Sequence, residues 1–85
     1  MELKIMIHDY DVAQGLLLSW QSGAQVRINI VDGEVILRAN RSGFFSMAAH
    51  MLTLAQEGVP QGEHLHLDDS NGLEEGSCPV VIERI

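Results

Sequence analysis

The sequence predicts an α+β domain spanning residues 1–85. The expected architecture is a mostly antiparallel sheet of about five to six strands packed on one amphipathic helix, in the order β-β-β-β-α-β-β. Three observations lead there. Only one stretch, Arg41 to Glu57, has a helical apolar period long enough to form a helix. Asp32-Gly33 sits between two short apolar runs, the strong signal of a two-residue hairpin. The remaining apolar stretches alternate and flank the helix without any β-α-β repetition.

Glu2 to His8, ELKIMIH, places Leu3, Ile5 and Ile7 on one face and reads as a half-buried strand. Asp9 to Gln14 is a polar connection. Residues 15–20, Gly15 to Trp20, fit a short strand, although a helix starting at Asp11 is open if it absorbs Gly15. Val26 to Ala39 is a hairpin. Closing it at Asp32-Gly33 pairs Ile30 with Val35, Ile28 with Leu37 and Val26 with Ala39, all apolar and on one face. The other face sets Arg27 opposite Arg38, a repulsive pair that needs solvent, neighbouring acids, an anion or a partner's carboxylate.

In the helix, Phe44, Phe45, Met47, Ala48, Met51, Leu52, Leu54 and Ala55 form an apolar stripe expected to face the core. Ser46, His50, Thr53, Gln56 and Glu57 fall on the opposite side. Asn40 or Ser42 is suited to cap the start, and Gly58 followed by Pro60 to end it. Glu63 to Asp68, EHLHLD, alternates again, with Leu65 and Leu67 inward. Asp69 to Ser77 is a loop carrying the Asn71-Gly72 turn signal, and Cys78 to Ile85 is the last strand.

Composition narrows the function. A hydrophobic fraction of 46% suits a globular domain. A chain this short buries only about 60–65% of its unfolded surface, so modest stability is expected. One cysteine, Cys78, excludes an internal disulfide and suits a reducing compartment. Met1 to His8 alternates where a secretory leader would be continuously apolar, and runs such as Leu16–Leu18 are far too short to span a bilayer. A soluble, cytoplasmic protein is expected. The net charge of −7 is uneven: residues 1–56 carry five acids against four bases, whereas residues 57–85 carry seven acids against Arg84 alone. Such an acidic end disfavours nucleic acid and anionic membrane as partners and suits a basic protein, with solubility the plainer explanation.

Catalytic signals are weak, and neither an enzyme nor a cofactor is expected. Cys78 and Ser77 have no nucleophile-elbow surroundings, and no glycine spacing cradles a phosphate. His64, His66 and Asp68 share one strand face, so two imidazoles and a carboxylate could converge on a divalent metal. His50, His8 or Cys78 would have to complete that set. The alternative is a polar strand face. For binding, the favoured residues are Asp68, Asp69, Glu74 and Glu75, four carboxylates in a loop expected to project from the sheet. A second copy of the chain is a further expected partner, because a small sheet leaves an edge free and Glu2, Lys4 and His8 blunt the first strand only partly.

From the helix onward the chain resembles a family. The helix end LAQEGVPQGEH, the strand HLHLDD, the loop NGLEEGS and the last strand VVIERI resemble the immunity protein 32 family of bacterial polymorphic toxin systems. The resemblance covers roughly Gly43 to Ile85, and the N-terminal half carries no matching motif. It implies a small cytoplasmic α+β protein that binds and neutralises a cognate toxin. The family's polar motif residues map to His64, His66, Asp68, Glu74, Glu75 and Ser77. A basic nuclease is the toxin type that an acidic partner would suit. Against this stand a small metal-binding module or enzyme using His64, His66 and Asp68, and a structural or interaction protein outside toxin systems.

Overall fold

Asp32 and Gly33 take φ of +51° and +78°, the positive values that both central residues of a type I′ turn need. The hairpin they close has the register expected from sequence, from Val26 opposite Ala39 to Val31 opposite Glu34. The computed structural model describes all 85 residues, Met1–Ile85. Its elements are β1 (Val26–Val31), β2 (Glu34–Ala39), α1 (Arg41–Ala55), β3 (His64–Leu67) and β4 (Val80–Glu83).

These four strands form two separate two-stranded antiparallel sheets, β1–β2 and β3–β4, rather than one sheet of five or six strands. In the second sheet Leu65 pairs with Ile82 and Leu67 with Val80. The backbone between Glu74 and Cys78 joins the two sheets. Glu74 N donates to Val26 O at 2.8 Å, and Cys78 N donates to Ile28 O at 2.7 Å. Ile28 N donates in turn to Ser77 Oγ at 3.2 Å. One long edge of β1 is thereby covered by an irregular segment instead of a strand.

Neither Glu2–His8 nor Gly15–Trp20 is a strand, and Gly15–Trp20 is not a helix. Alternation supplies a half-buried face, but a strand also needs a ladder partner. Residues 74–78 occupy the outer edge of β1, and residues 1–10 lie along α1 instead. Gln56 ties them down: its Nε2 donates to His8 O at 3.0 Å and its Oε1 accepts from Tyr10 N at 3.1 Å. Asp11 to Gly15 forms a turn, with Gly15 N bonded to Asp11 O at 2.7 Å.

Asn40 is the helix N-cap. Its Oδ1 accepts from Gly43 N at 2.8 Å and also from Gln25 N at 3.0 Å, so one side chain starts α1 and fixes the strand entering β1. The helix ends at Ala55 with Gln56 as C-cap. No base lies in its last turn, and Arg84 fills that role from beyond β4. Its Nη1 donates to Leu54 O at 2.7 Å and to Gln56 O at 3.1 Å.

The helix is turned relative to the sequence expectation. Its buried residues are Gly43, Ser46, Met47, His50, Thr53 and Leu54, whereas Phe44, Met51, Leu52 and Ala55 are exposed. Three residues assigned to the polar side therefore face inward. Two have partners that make burial tolerable: Ser46 Oγ accepts from Gln21 N at 2.9 Å, and Thr53 Oγ1 donates to Ala49 O at 2.7 Å. His50 packs edge-on to Trp20 with ring centroids 4.5 Å apart. The core consists of Val26, Ile28, Met47, Leu54, Val59, Leu65, Leu67 and Leu73, drawn from both sheets, the helix and two connections. The radius of gyration is 13.4 Å, against about 12 Å for a well-packed chain of this length.

Candidate partner-binding site

Asp68 to Glu75 connects the end of β3 to the segment that covers β1. It does not project as a free loop. Leu73 is buried in the core, and the backbone of Glu74 is bonded to β1. Asp68 Oδ1 accepts from Ser70 N at 2.9 Å, while Asp68 O accepts from Asn71 N at 2.9 Å and Leu73 N at 3.0 Å. Asn71 Nδ2 reaches His66 O. Gly72 adopts φ of +95°, and the Trp20 indole lies against its Cα where a side chain would otherwise stand. Asp69 Oδ2 makes a long contact, 3.4 Å, with Gly76 N.

The four carboxylates thus fall into two pairs. Asp69 and Glu75 are exposed, whereas Asp68 and Glu74 are half-buried. Asp68 holds the turn as well as carrying charge. Glu74 lines a shallow groove of about 380 Å³ with Gln25, Arg27, Arg38 and Asn40. The two arginines that oppose each other across β1–β2 therefore share a groove with one acid, although neither forms an ion pair within 4.0 Å. Sequence spacing alone did not reveal this juxtaposition, because it depends on the hydrogen bond from Glu74 to Val26.

His64 and His66 lie on the exposed face of β3, their rings T-shaped with centroids 4.9 Å apart. His64 Nδ1 is 2.9 Å from Gly62 O, and Asp68 turns its carboxylate to its own turn. No three His, Cys, Asp or Glu side chains come together as ligands for a metal ion. Cys78 is half-buried, with its thiol 3.4 Å from Pro79 O.

Residues 34–85 match the family model described as Immunity protein 32. The chain belongs to that family. The match begins at β2 and takes in α1, β3, the acidic connection and β4, so the immunity-family part contains every candidate acid. No curated protein and no solved structure matches the chain. No helix is long and apolar enough to cross a membrane. The connection Asp68 to Glu75 carries four of the eight carboxylates in the matched residues.

A second feature lies outside the acidic connection. His50 is 1% exposed and its Nε2 has no hydrogen-bond partner. It borders a cavity of about 250 Å³ with Met6, Ile7, His8, Leu17, Ser19, Ala49 and Thr53. Burial without a compensating charge holds its pKa below the ordinary histidine value. Nothing in the helical period distinguishes this histidine, because the period places it on the solvent side.

Proposed function

We propose that this protein is the immunity partner of a bacterial polymorphic toxin, binding its cognate toxin and neutralising it in the cytoplasm. Membership of the immunity protein 32 family carries this reading. The acidic C-terminal third of the chain, seven carboxylates against one arginine in residues 57–85, supports a basic toxin surface, of which a nuclease is the natural example. Asp69 and Glu75 are exposed on the connection, so they attract such a surface at longest range, and Asp68 and Glu74 stand behind them. No chemistry is required of the inhibitor, only a rigid acidic surface placed over the toxin.

Co-expression with a candidate toxin drawn from the neighbouring genes tests the reading. Growth should be rescued and a stable complex should form. Replacing Asp68, Asp69, Glu74 and Glu75 by their amides preserves the acceptor atoms that hold the turn but removes the charge. That variant should melt close to the parent and associate more slowly, with a weaker dependence on salt. A complex that forms as fast as the parent's would move the interface elsewhere. Failure of the parent to bind or protect would reject the pairing itself.

A further inference from the structure

The outer edge of β2 is bare. Asn40 N bonds to Gln25 O at 3.1 Å, which fixes the phase of the hairpin ladder. Arg27–Arg38, Asn29–Ile36 and Val31–Glu34 are in the same phase, so their backbone groups face each other across the hairpin. Val26 and Ile28 turn theirs away from β2, as their bonds to Glu74, Ser77 and Cys78 confirm. By the same alternation Val35 and Leu37 direct their N–H and C=O groups outward from β2, where no neighbouring strand lies. Their side chains are 70% and 37% exposed.

The geometry points to this edge as the docking surface for a second copy of the chain. Let two β2 strands pair antiparallel about a two-fold axis at Ile36. Val35 then meets the partner's Leu37 in a hydrogen-bonded pair, twice, so the bare backbone groups satisfy each other. Glu34 stands opposite the partner's Arg38, also twice. Arg38 faces Arg27 on its inner side and lacks an ion pair in the monomer, and the partner subunit supplies the missing acid. Moving the register two residues one way sets Glu34 opposite the partner's Asn40. Moving it the other way draws turn residues Asp32 and Gly33 into the ladder. The central register alone matches both charges within the strand.

The assembly closes at two copies. Its sheet runs β1-β2-β2-β1, and the outer edge of each β1 is already bonded to residues 74–78 at Val26 and Ile28, leaving only Ile30 beside the turn, too short an edge to add a further strand. The exposed acids Asp69 and Glu75 lie on the connection beyond the far edge of β1, and only Glu74 shares a groove with Arg38, so pairing of the β2 edges rests on its own backbone and charge geometry and does not depend on the toxin-binding reading.

Sedimentation of the whole protein from about 1 μM to about 1 mM should show the mass rising from the monomer value towards twice that value. Glu34→Arg and Arg38→Glu each place two like-charged pairs across the axis and should weaken self-association by about tenfold or more. Mixing the two variants, or combining both changes in one chain, restores opposite charges and should restore association. A general loss of folding would not be rescued in that way. In a Cys78→Ser background, Ile36→Cys should cross-link between copies under mild oxidation, since residues facing each other on the axis are about 4.5 Å apart at Cα. Val35→Cys should not cross-link. A parent that stays monomeric throughout, a double charge swap that associates no better than the single variants, or equal cross-linking at 35 and 36 would each overturn the proposal.

Discussion

Replacing His50 by leucine should remove a built-in acid sensitivity while leaving the fold intact. The imidazole is 1% exposed, with Nε2 unpartnered and the ring edge-on to Trp20. A buried polar atom without a partner costs about 1–3 kcal/mol. The aromatic edge contact contributes about 0.5–1.5 kcal/mol, which leucine forgoes. At neutral to alkaline pH the variant should therefore lie between about 0.5 kcal/mol less stable and about 2.5 kcal/mol more stable. The pH dependence gives the sharper test. Burial lowers the folded-state pKa of His50 beneath its ordinary 6.5. Above that value both states are neutral and the parent's stability is fully present. As pH falls through it, the unfolded chain takes up a proton that the folded one refuses. Stability then drops by as much as about 1.4 kcal/mol per pH unit, until the folded pKa is reached. Urea unfolding at steps from about pH 8 to about pH 5 measures this, and subtracting variant from parent cancels every group that the two share. The parent should lose stability faster than His50→Leu below about pH 6.5. Identical slopes would refute the assignment of the sensitivity to His50.

Three further outcomes follow from single contacts. Gly43→Ala would drive a Cβ into the backbone carbonyl oxygen of Gln25, which cannot swing aside as a flexible side chain can, so a loss of about 2–3 kcal/mol is expected by thermal or urea unfolding. Arg84→Met keeps the aliphatic stem but removes both bonds to the helix C-terminus; it should cost about 1–3 kcal/mol, with faster amide exchange in the last turn of α1. Gln56→Ala removes the two bonds to His8 and Tyr10, and its main effect should be increased proteolysis within residues 1–12 with the melting transition shifted by a few degrees at most.

The hairpin register was legible because turn chemistry and apolar pairing are both local and agree, residue for residue, about Asp32-Gly33. The helix start was legible for the same reason, since Asn40 acts on an amide three residues away. The N-terminal strand was not. ELKIMIH carries a strand's pattern, but pattern cannot show whether an edge will be vacant to receive it, and the chain gives that edge of β1 to Glu74–Cys78. Helix orientation failed through a different cause. The widest apolar stripe pointed one way, yet Ser46 and Thr53 found hydrogen bonds that lowered the cost of turning the other side inward, and Trp20 covered His50. At the candidate site, the four acids were visible as a cluster. Their division into exposed Asp69 and Glu75 and half-buried Asp68 and Glu74 required the anchoring of Leu73 and Glu74, which are long-range contacts.

The stitching of residues 74–78 to β1 also separates the unit of homology from the unit of folding. The family match starts at residue 34, whereas two acceptors of this stitching, Val26 O and Ile28 O, precede it. A fragment cut to the matched residues would shed the most deeply buried valine in the chain and leave the amides of Glu74 and Cys78 facing nothing. Such a fragment is expected to be largely disordered alone and to regain structure when a peptide carrying Gln25–Val31 is added in trans, the two pieces reassembling as a split protein.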